Sequence, residues 1–141
     1  MMQRNDFISR WLVMNRRLDR FFNKALAIMR ISPAQIDVLN VVADRQKCSP
    51  KEIQGELGLD SSSLTGLVQR IQKKGWIKKI MHPGDKRAVL LCLTTDGIEM
   101  QKKADHLVKE LNRAVSSAAS EEEWKTFYDV LRKIEHEFLY L

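Results

Sequence analysis

Cysteine is almost missing from this chain. The two that occur, Cys48 and Cys92, are too few and too widely spaced for a disulfide framework or a zinc site, each of which needs several ligands at short spacing. Histidine is as scarce: His82, His106 and His136 fall in separate segments, with no carboxylate or cysteine at ligand spacing, so no metal is expected. The few glycines form no phosphate-cradling loop, and no serine stands in a nucleophile-elbow context. No cofactor and no catalytic residue are therefore expected, and the chain does not read as an enzyme. Long apolar runs are missing too. None approaches the roughly 18 residues that a membrane span needs. The stretch Met1-Met2-Gln3-Arg4-Asn5-Asp6 lacks the apolar core of a signal peptide, so no membrane association and a cytoplasmic location are expected.

Acid is missing from one window only. Between Ser61 and Leu90, the cations Arg70, Lys73, Lys74, Lys78, Lys79, Lys86 and Arg87 face the single acid Asp85. This window alone accounts for the chain's net charge of +6. Positive charge concentrated in this way is offered to a polyanion. Inside the window, Leu64, Leu67, Val68 and Ile71 recur at helical spacing, and Ser62, Thr65, Gly66, Gln69, Arg70 and Lys73 form the opposite, polar face. After Gly75 the pattern becomes extended. Trp76 to Met81 reads as a strand, His82-Pro83-Gly84-Asp85-Lys86-Arg87 as a turn, and Ala88 to Leu93 as the returning strand. A helix followed by a basic hairpin is the layout of a winged helix.

The remainder, within 141 residues of which 44% are hydrophobic, fits one globular domain with long helical extensions. From Phe7 to Arg30 apolar residues fall at Phe7, Trp11, Met14, Leu18, Phe22, Ala25 and Met29, which predicts one amphipathic helix. Its many cations face either DNA, solvent or an acidic partner helix. Proline occurs three times, each at a boundary. Ser32-Pro33 with Gln35, and Ser49-Pro50 with Glu52, read as cap, first helical residue and capping box. They open one helix with Ile36, Leu39, Val42 and Ala43 inward and a short one with Ile53 and Leu57 inward, ended by Gly58. Asp60 then caps the basic helix, completing a helix-turn-helix whose second member reads DNA. Thr94 caps a helix to about Ala119. Ser120 with Glu123 opens the last, where Trp124, Phe127, Leu131, Ile134, Phe138 and Leu141 repeat at heptad spacing. With Phe7 and Trp11, this seam is expected to form a homodimer; packing within one chain is the alternative. The last helix is acidic and the first basic, which suits an exchange of terminal helices between subunits. The expected division is 1–31 for dimerisation, 32–95 for the winged helix-turn-helix and 96–141 for dimerisation.

Ser32-Pro33-Ala34-Gln35-Ile36-Asp37-Val38-Leu39, Glu52-Ile53 with Leu57-Gly58, and Leu64-Thr65-Gly66-Leu67-Val68 together resemble the multiple antibiotic resistance regulator (MarR) family. The match is most specific in Gly75-Trp76-Ile77, Asp85-Lys86-Arg87 and Leu93-Thr94-Thr95-Asp96-Gly97, which resemble that family's helix exit, wing tip and wing-to-helix junction in order and spacing. The resemblance spans about residues 7 to 140. It implies a mainly α fold with a small β-hairpin wing, and a homodimeric transcriptional regulator. Such a protein is usually a repressor of a palindromic operator, released by a small aromatic ligand or by oxidation. Two departures stand out. Lys86 occupies a position where the family commonly has arginine, so a bidentate phosphate contact becomes a point-charge contact. Gly66 and Gln69 replace longer or charged residues on the recognition face.

In this reading the expected partner is double-stranded DNA with an inverted repeat. Ser61, Ser62, Ser63 and the free N–H groups of the helix start hold phosphate. Thr65 and Gln69 meet base edges, Arg70 meets guanine or phosphate, and Lys73 and Lys86 meet phosphate. Lys73 and Lys74 are otherwise a solvated helix end. Arg87 enters the minor groove by its position in the family, and Asp85 pairs with it or is a plain turn aspartate. Trp11 and Trp76 line an effector pocket or belong to the core. Cys48 and Cys92 are small buried hydrophobes or oxidation sensors. Two other functions fit the composition: a nonspecific architectural DNA binder, and a winged helix that docks protein.

Overall fold

Helix starts in this chain are built by short polar side chains three residues before the N–H they bind, a local device that needs no tertiary partner. The computed structural model describes residues 6–140. It contains α1 (Phe7–Met29), α2 (Pro33–Arg45), α3 (Pro50–Leu57), α4 (Ser61–Lys73), β1 (Ile77–His82), β2 (Asp85–Leu93), α5 (Thr95–Ser116) and α6 (Glu121–Phe138). Asp6 accepts from the Ser9 N–H at 2.7 Å. Ser32 with Gln35, Ser49 with Glu52 and Ser120 with Glu123 close full capping boxes. Asp60 accepts from the Ser63 N–H at 2.7 Å, and Thr94 Oγ1 from the Gly97 N–H at 3.0 Å. The fold is mainly α with a small antiparallel hairpin, as expected.

Helix α2 is buried on more than one face. Ile36, Val38, Leu39, Val41 and Val42 all lie in the core, whereas the expected stripe named Ala43, which is half-buried, and omitted Val38 and Val41. Around it pack Leu26, Ile31, Ile53, Leu64, Leu67, Val68, Ile71, Trp76, Ile77 and Leu91. The α4 stripe Leu64, Leu67, Val68 and Ile71 is buried in full, so the opposite face of α4 is fixed toward the outside.

The hairpin departs from its sequence reading. β1 runs to His82 and β2 begins at Asp85, with these two residues paired across a loop of only Pro83 and Gly84. Two-residue loops are the commonest hairpin connection because their twist matches the strands. Asp85 therefore opens β2, and Lys86 and Arg87 follow it in the irregular stretch where the register shifts between the Met81–Val89 and His82–Asp85 pairs, without partners on β1. A second, short pairing was also not foreseen: Cys48 N–H donates to the Leu91 carbonyl at 3.1 Å, and Leu91 N–H to the Cys48 carbonyl at 2.8 Å. It anchors the wing's second strand to the segment after α2.

The wing-to-α5 junction is the tightest place in the fold. Thr94 N–H donates to the Trp76 carbonyl at 3.0 Å, and Thr94 Oγ1 donates to the Gly75 carbonyl. A Cβ on Gly97 would stand 1.9 Å from that same Trp76 oxygen. Only glycine permits this approach.

The chain divides into two compact units, Met1–Lys102 and Lys103–Leu141. Within the first, α1 buries only Leu26. Phe22 and Met29 are half-buried, while Phe7, Trp11, Met14, Leu18, Phe21 and Ile28 form an exposed stripe at heptad steps, with Ile28 86% exposed. The expected stripe, which joined Phe22 and Met29 to Phe7 and Trp11, therefore mixed two faces. Within the second, Trp124 Nε1 donates to the Ser116 carbonyl at 2.9 Å, tying the start of α6 to the end of α5. No residue of α6 is buried. Among the described residues, no single helix is long and apolar enough to cross a membrane.

Candidate nucleic-acid interface

Helix α4 turns its buried stripe inward and presents Ser61, Ser62, Ser63, Thr65, Gln69, Arg70 and Lys73 to solvent. Gly66 is half-buried between them, and a Cβ there would meet Arg70 Nη1 at 3.6 Å, an ordinary contact distance. Thr65 Oγ1 donates to the Ser61 carbonyl at 2.7 Å. Its hydroxyl proton is thus used within the helix, which leaves the methyl group as its apolar handle.

The start of α4 corrects one expectation. Three of its donors, the Ser63 N–H and the hydroxyls of Ser62 and Ser63, are taken by Asp60. Ser62 Oγ donates to Asp60 Oδ1 at 2.8 Å, Ser63 Oγ to Oδ2 at 3.0 Å, and Ser63 N–H to Oδ1. The Ser63 backbone N–H, with the Ser62 and Ser63 hydroxyls, holds the Asp60 carboxyl below its usual pKa, so the cap stays charged. An incoming phosphate meets an anion at this point and must be held by cations further along.

Those cations are present. Arg70, Lys73, Lys78, Lys79, Lys86 and Arg87 are exposed, and none forms an ion pair among the described residues. Arg45, outside the window, shows the contrast: it contacts Glu56 at 2.9 Å and Glu52 at 3.8 Å. Lys78 and Lys79 were counted in the basic window but not as contacts; their place on β1 adds them to the wing's exposed charge. At the hairpin tip, His82 Nδ1 accepts from the Gly84 N–H at 3.0 Å, and Asp85 Oδ1 accepts from the Arg87 backbone N–H at 2.9 Å. The expected Asp85–Arg87 ion pair is thus replaced by a backbone contact. Asp85 shapes the strand entry, and the guanidinium of Arg87 is left free for an outside anion.

Lys74 does not belong with these cations. Its Nζ donates to the Arg30 carbonyl and to Gln35 Oε1 and lies over the Trp76 ring. Nor do Trp11 and Trp76 line a shared pocket. Trp11 stacks on Phe7 at 5.7 Å, and Trp76 is buried in the core. A cleft of about 360 Å³ in this unit is lined by Val42, Ala43, Gln46, Leu93, Ile98 and Gln101.

The cysteines are free and differ in environment. Cys48 is fully buried, and burial pushes its thiol pKa up to about 11. The thiolate is the reactive form, so Cys48 is inert at neutral pH. Iodoacetamide at pH 7.5, followed by peptide mass analysis, is expected to modify the half-exposed Cys92 first and Cys48 only in denaturant. No group of three or more His, Cys, Asp or Glu side chains is placed to hold a metal among the described residues.

The named seam residues are largely open. Phe7, Trp11, Phe127 and Phe138 are exposed, Phe138 by 54%, and Trp124, Leu131 and Ile134 are half-buried. Leu141 lies outside the described residues.

Comparison with known proteins agrees with the helix, hairpin and junction just described. The model of the MarR family matches residues 31–88. The multiple antibiotic resistance protein MarR of Escherichia coli strain K12 is 30% identical over 123 residues, covering 86% of this chain and 85% of that protein. Its counterpart in Salmonella typhimurium is 31% identical over 127 residues, with the same coverage of both chains. Among solved structures, a cysteine-to-serine mutant of MarR from E. coli complexed with operator DNA superposes with a TM-score of 0.78 at 30% identity, covering 90% of this chain and 92% of that one. Identity at this level over nearly the whole of both chains means that this chain belongs to the MarR family, as a winged-helix transcriptional regulator and not an enzyme.

Proposed function

We propose that this protein is a cytoplasmic homodimer that represses transcription by binding an inverted-repeat operator in double-stranded DNA. The observation that carries this reading is that α4 and the wing present Arg70, Lys73, Lys78, Lys79, Lys86 and Arg87 exposed and without ion pairs among the described residues, beside the single acid Asp85 in that window. In a two-fold dimer the two α4 helices enter successive major grooves about 34 Å apart. Gln69 bonds adenine at N6 and N7, the Thr65 methyl meets thymine, and Arg70 reaches guanine or phosphate. Ser61, Ser62 and Ser63 line the entry beside the Asp60 cap, while Lys73 and Lys86 neutralise phosphate. Arg87 enters the minor groove next to Asp85. Residues 32–95 carry this reading; 1–31 and 96–141 carry dimerisation.

A second copy of the chain is the occupant that the terminal helices call for. Beside the exposed stripe of α1, Arg10, Arg17 and Lys24 recur at steps of seven; beside the seam of α6 stand Glu123, Glu135 and Glu137. Like-with-like pairing of either helix sets equal charges together, whereas a partner's acidic flank complements the basic one. Sedimentation equilibrium at micromolar concentration is expected to return a dimer, and one dimer per duplex when inverted-repeat DNA is added. A monomer would overturn this part of the reading. Release by a small aromatic ligand extends the reading through the family; the cleft of about 360 Å³ is of ligand size, since such sites span roughly 300–1,000 Å³.

A further inference from the structure

Lys74 lies in the most basic part of the sequence and is exposed, yet its ammonium is engaged by groups of the protein itself. Nζ donates to the carbonyl oxygen of Arg30 and, at 3.1 Å, to Oε1 of Gln35, and it stands 4.7 Å from the centroid of the Trp76 ring. Each partner is a terminus. Arg30, with a left-handed backbone at φ 54°, ends α1; Gln35 closes the capping box that starts α2; Trp76 precedes the first wing strand. Lys74 itself is the residue that ends α4. One side chain thus joins the ends of three helices and the root of the wing.

The chemistry of the contact suits a strut. An ammonium has three donors; here two go to oxygens, and the cation also faces an aromatic ring. The Arg30 carbonyl is among those that a helix C-terminus leaves without an intrahelical partner, and the helix dipole favours a cation there. Gln35 is only 5% exposed, and its Oε1 also accepts from the Ser32 N–H at 3.1 Å. Removing the Lys74 ammonium takes one of two donors from the part-buried Gln35 oxygen and leaves it the Ser32 N–H.

We propose that Lys74 is a positioning residue for DNA reading, one that fixes the exit of α4 against the end of α1 without itself touching DNA. The proposal rests on α4 being the recognition helix. At 13 residues, α4 is about 20 Å long. A tilt of about 5° at its exit therefore moves its far end by roughly 2 Å, which is enough to break hydrogen bonds to base edges.

The test measures binding of the full chain by fluorescence anisotropy. The probes are an inverted-repeat duplex enriched from a randomised pool and a scrambled duplex of equal length, across a salt series. The wild type must first prefer the inverted repeat; failure there removes the functional reading and not this proposal. Lys74→Met is expected to lose about tenfold in affinity for the inverted repeat and less than about twofold for the scrambled duplex. Its salt slope should match wild type, whereas Lys73→Ala lowers the slope by about 0.9 as a phosphate contact does. Gln35→Met, which changes no charge, should lose the same preference, and the double variant should be little worse than either single one. Gln35→Glu keeps the acceptor and should bind as wild type, which holds the test open if Lys74→Met does not fold. A Lys74→Met slope lowered by about 0.9 with equal loss on both duplexes would identify a phosphate contact and overturn the proposal. Wild-type preference in Gln35→Met would do the same.

Discussion

Arg87→Ala is expected to lower affinity for every DNA sequence by about 1–3 kcal/mol, roughly fivefold to 150-fold, and to reduce the salt slope by about one. The effect should be large because no ion pair holds this guanidinium among the described residues. Asp85 engages the Arg87 main chain, so the side chain arrives at DNA without an internal partner to give up. For the same reason the substitution should leave the fold intact. It orphans no carboxylate and alters an exposed strand position, where changes are usually within about 0.5 kcal/mol. Anisotropy with operator-like and scrambled duplexes, alongside a thermal melt, separates the two effects. Unchanged affinity would remove the wing from the interface.

The second large effect concerns stability. Gly97→Ala is expected to destabilise the protein by about 3 kcal/mol, at the upper end for overpacking, because the clash cannot be relieved by a rotamer change. The atom met at 1.9 Å is a backbone carbonyl, and that carbonyl already accepts from the Thr94 N–H. Moving it disturbs the bond that closes the wing and the turn that starts α5. Denaturant titration should show a lower midpoint with an unchanged m-value. A midpoint equal to wild type would show that the junction opens more easily than its geometry implies.

What the sequence revealed follows the range of the interactions involved. The helix starts were legible because caps act over three residues: Ser32 with Gln35, Ser49 with Glu52, Asp60 and Ser120 with Glu123 all stand where spacing placed them. The buried stripe of α4 was legible because one helix face meets one core. Long-range pairing was not. The Cys48–Leu91 bridge joins distant segments and leaves no periodic trace. Asp85-Lys86-Arg87 looks like a polar turn, yet an exposed strand beside a two-residue loop is equally polar. Adjacent aromatics at Phe21 and Phe22 concealed that α1 carries two apolar faces. Charge counting was blind to direction. It counted Lys74 in the basic window, with a solvated helix end as the alternative, when its ammonium binds the carbonyl of Arg30 and the amide oxygen of Gln35. It also offered the α4 start to phosphate without counting Asp60, which takes the Ser63 N–H and the Ser62 and Ser63 hydroxyls.

The central claim is that two copies of α4 and the wing read one DNA site by symmetry. Selection of the full-length protein against a randomised duplex pool at fixed salt tests it most directly. The account predicts enrichment of an inverted repeat whose half-site centres lie about one helical turn, roughly 10 base pairs, apart. A pool that shows salt-sensitive binding without enrichment would contradict it in favour of a nonspecific architectural binder, and a pool that is not retained at all would point to a winged helix that docks protein.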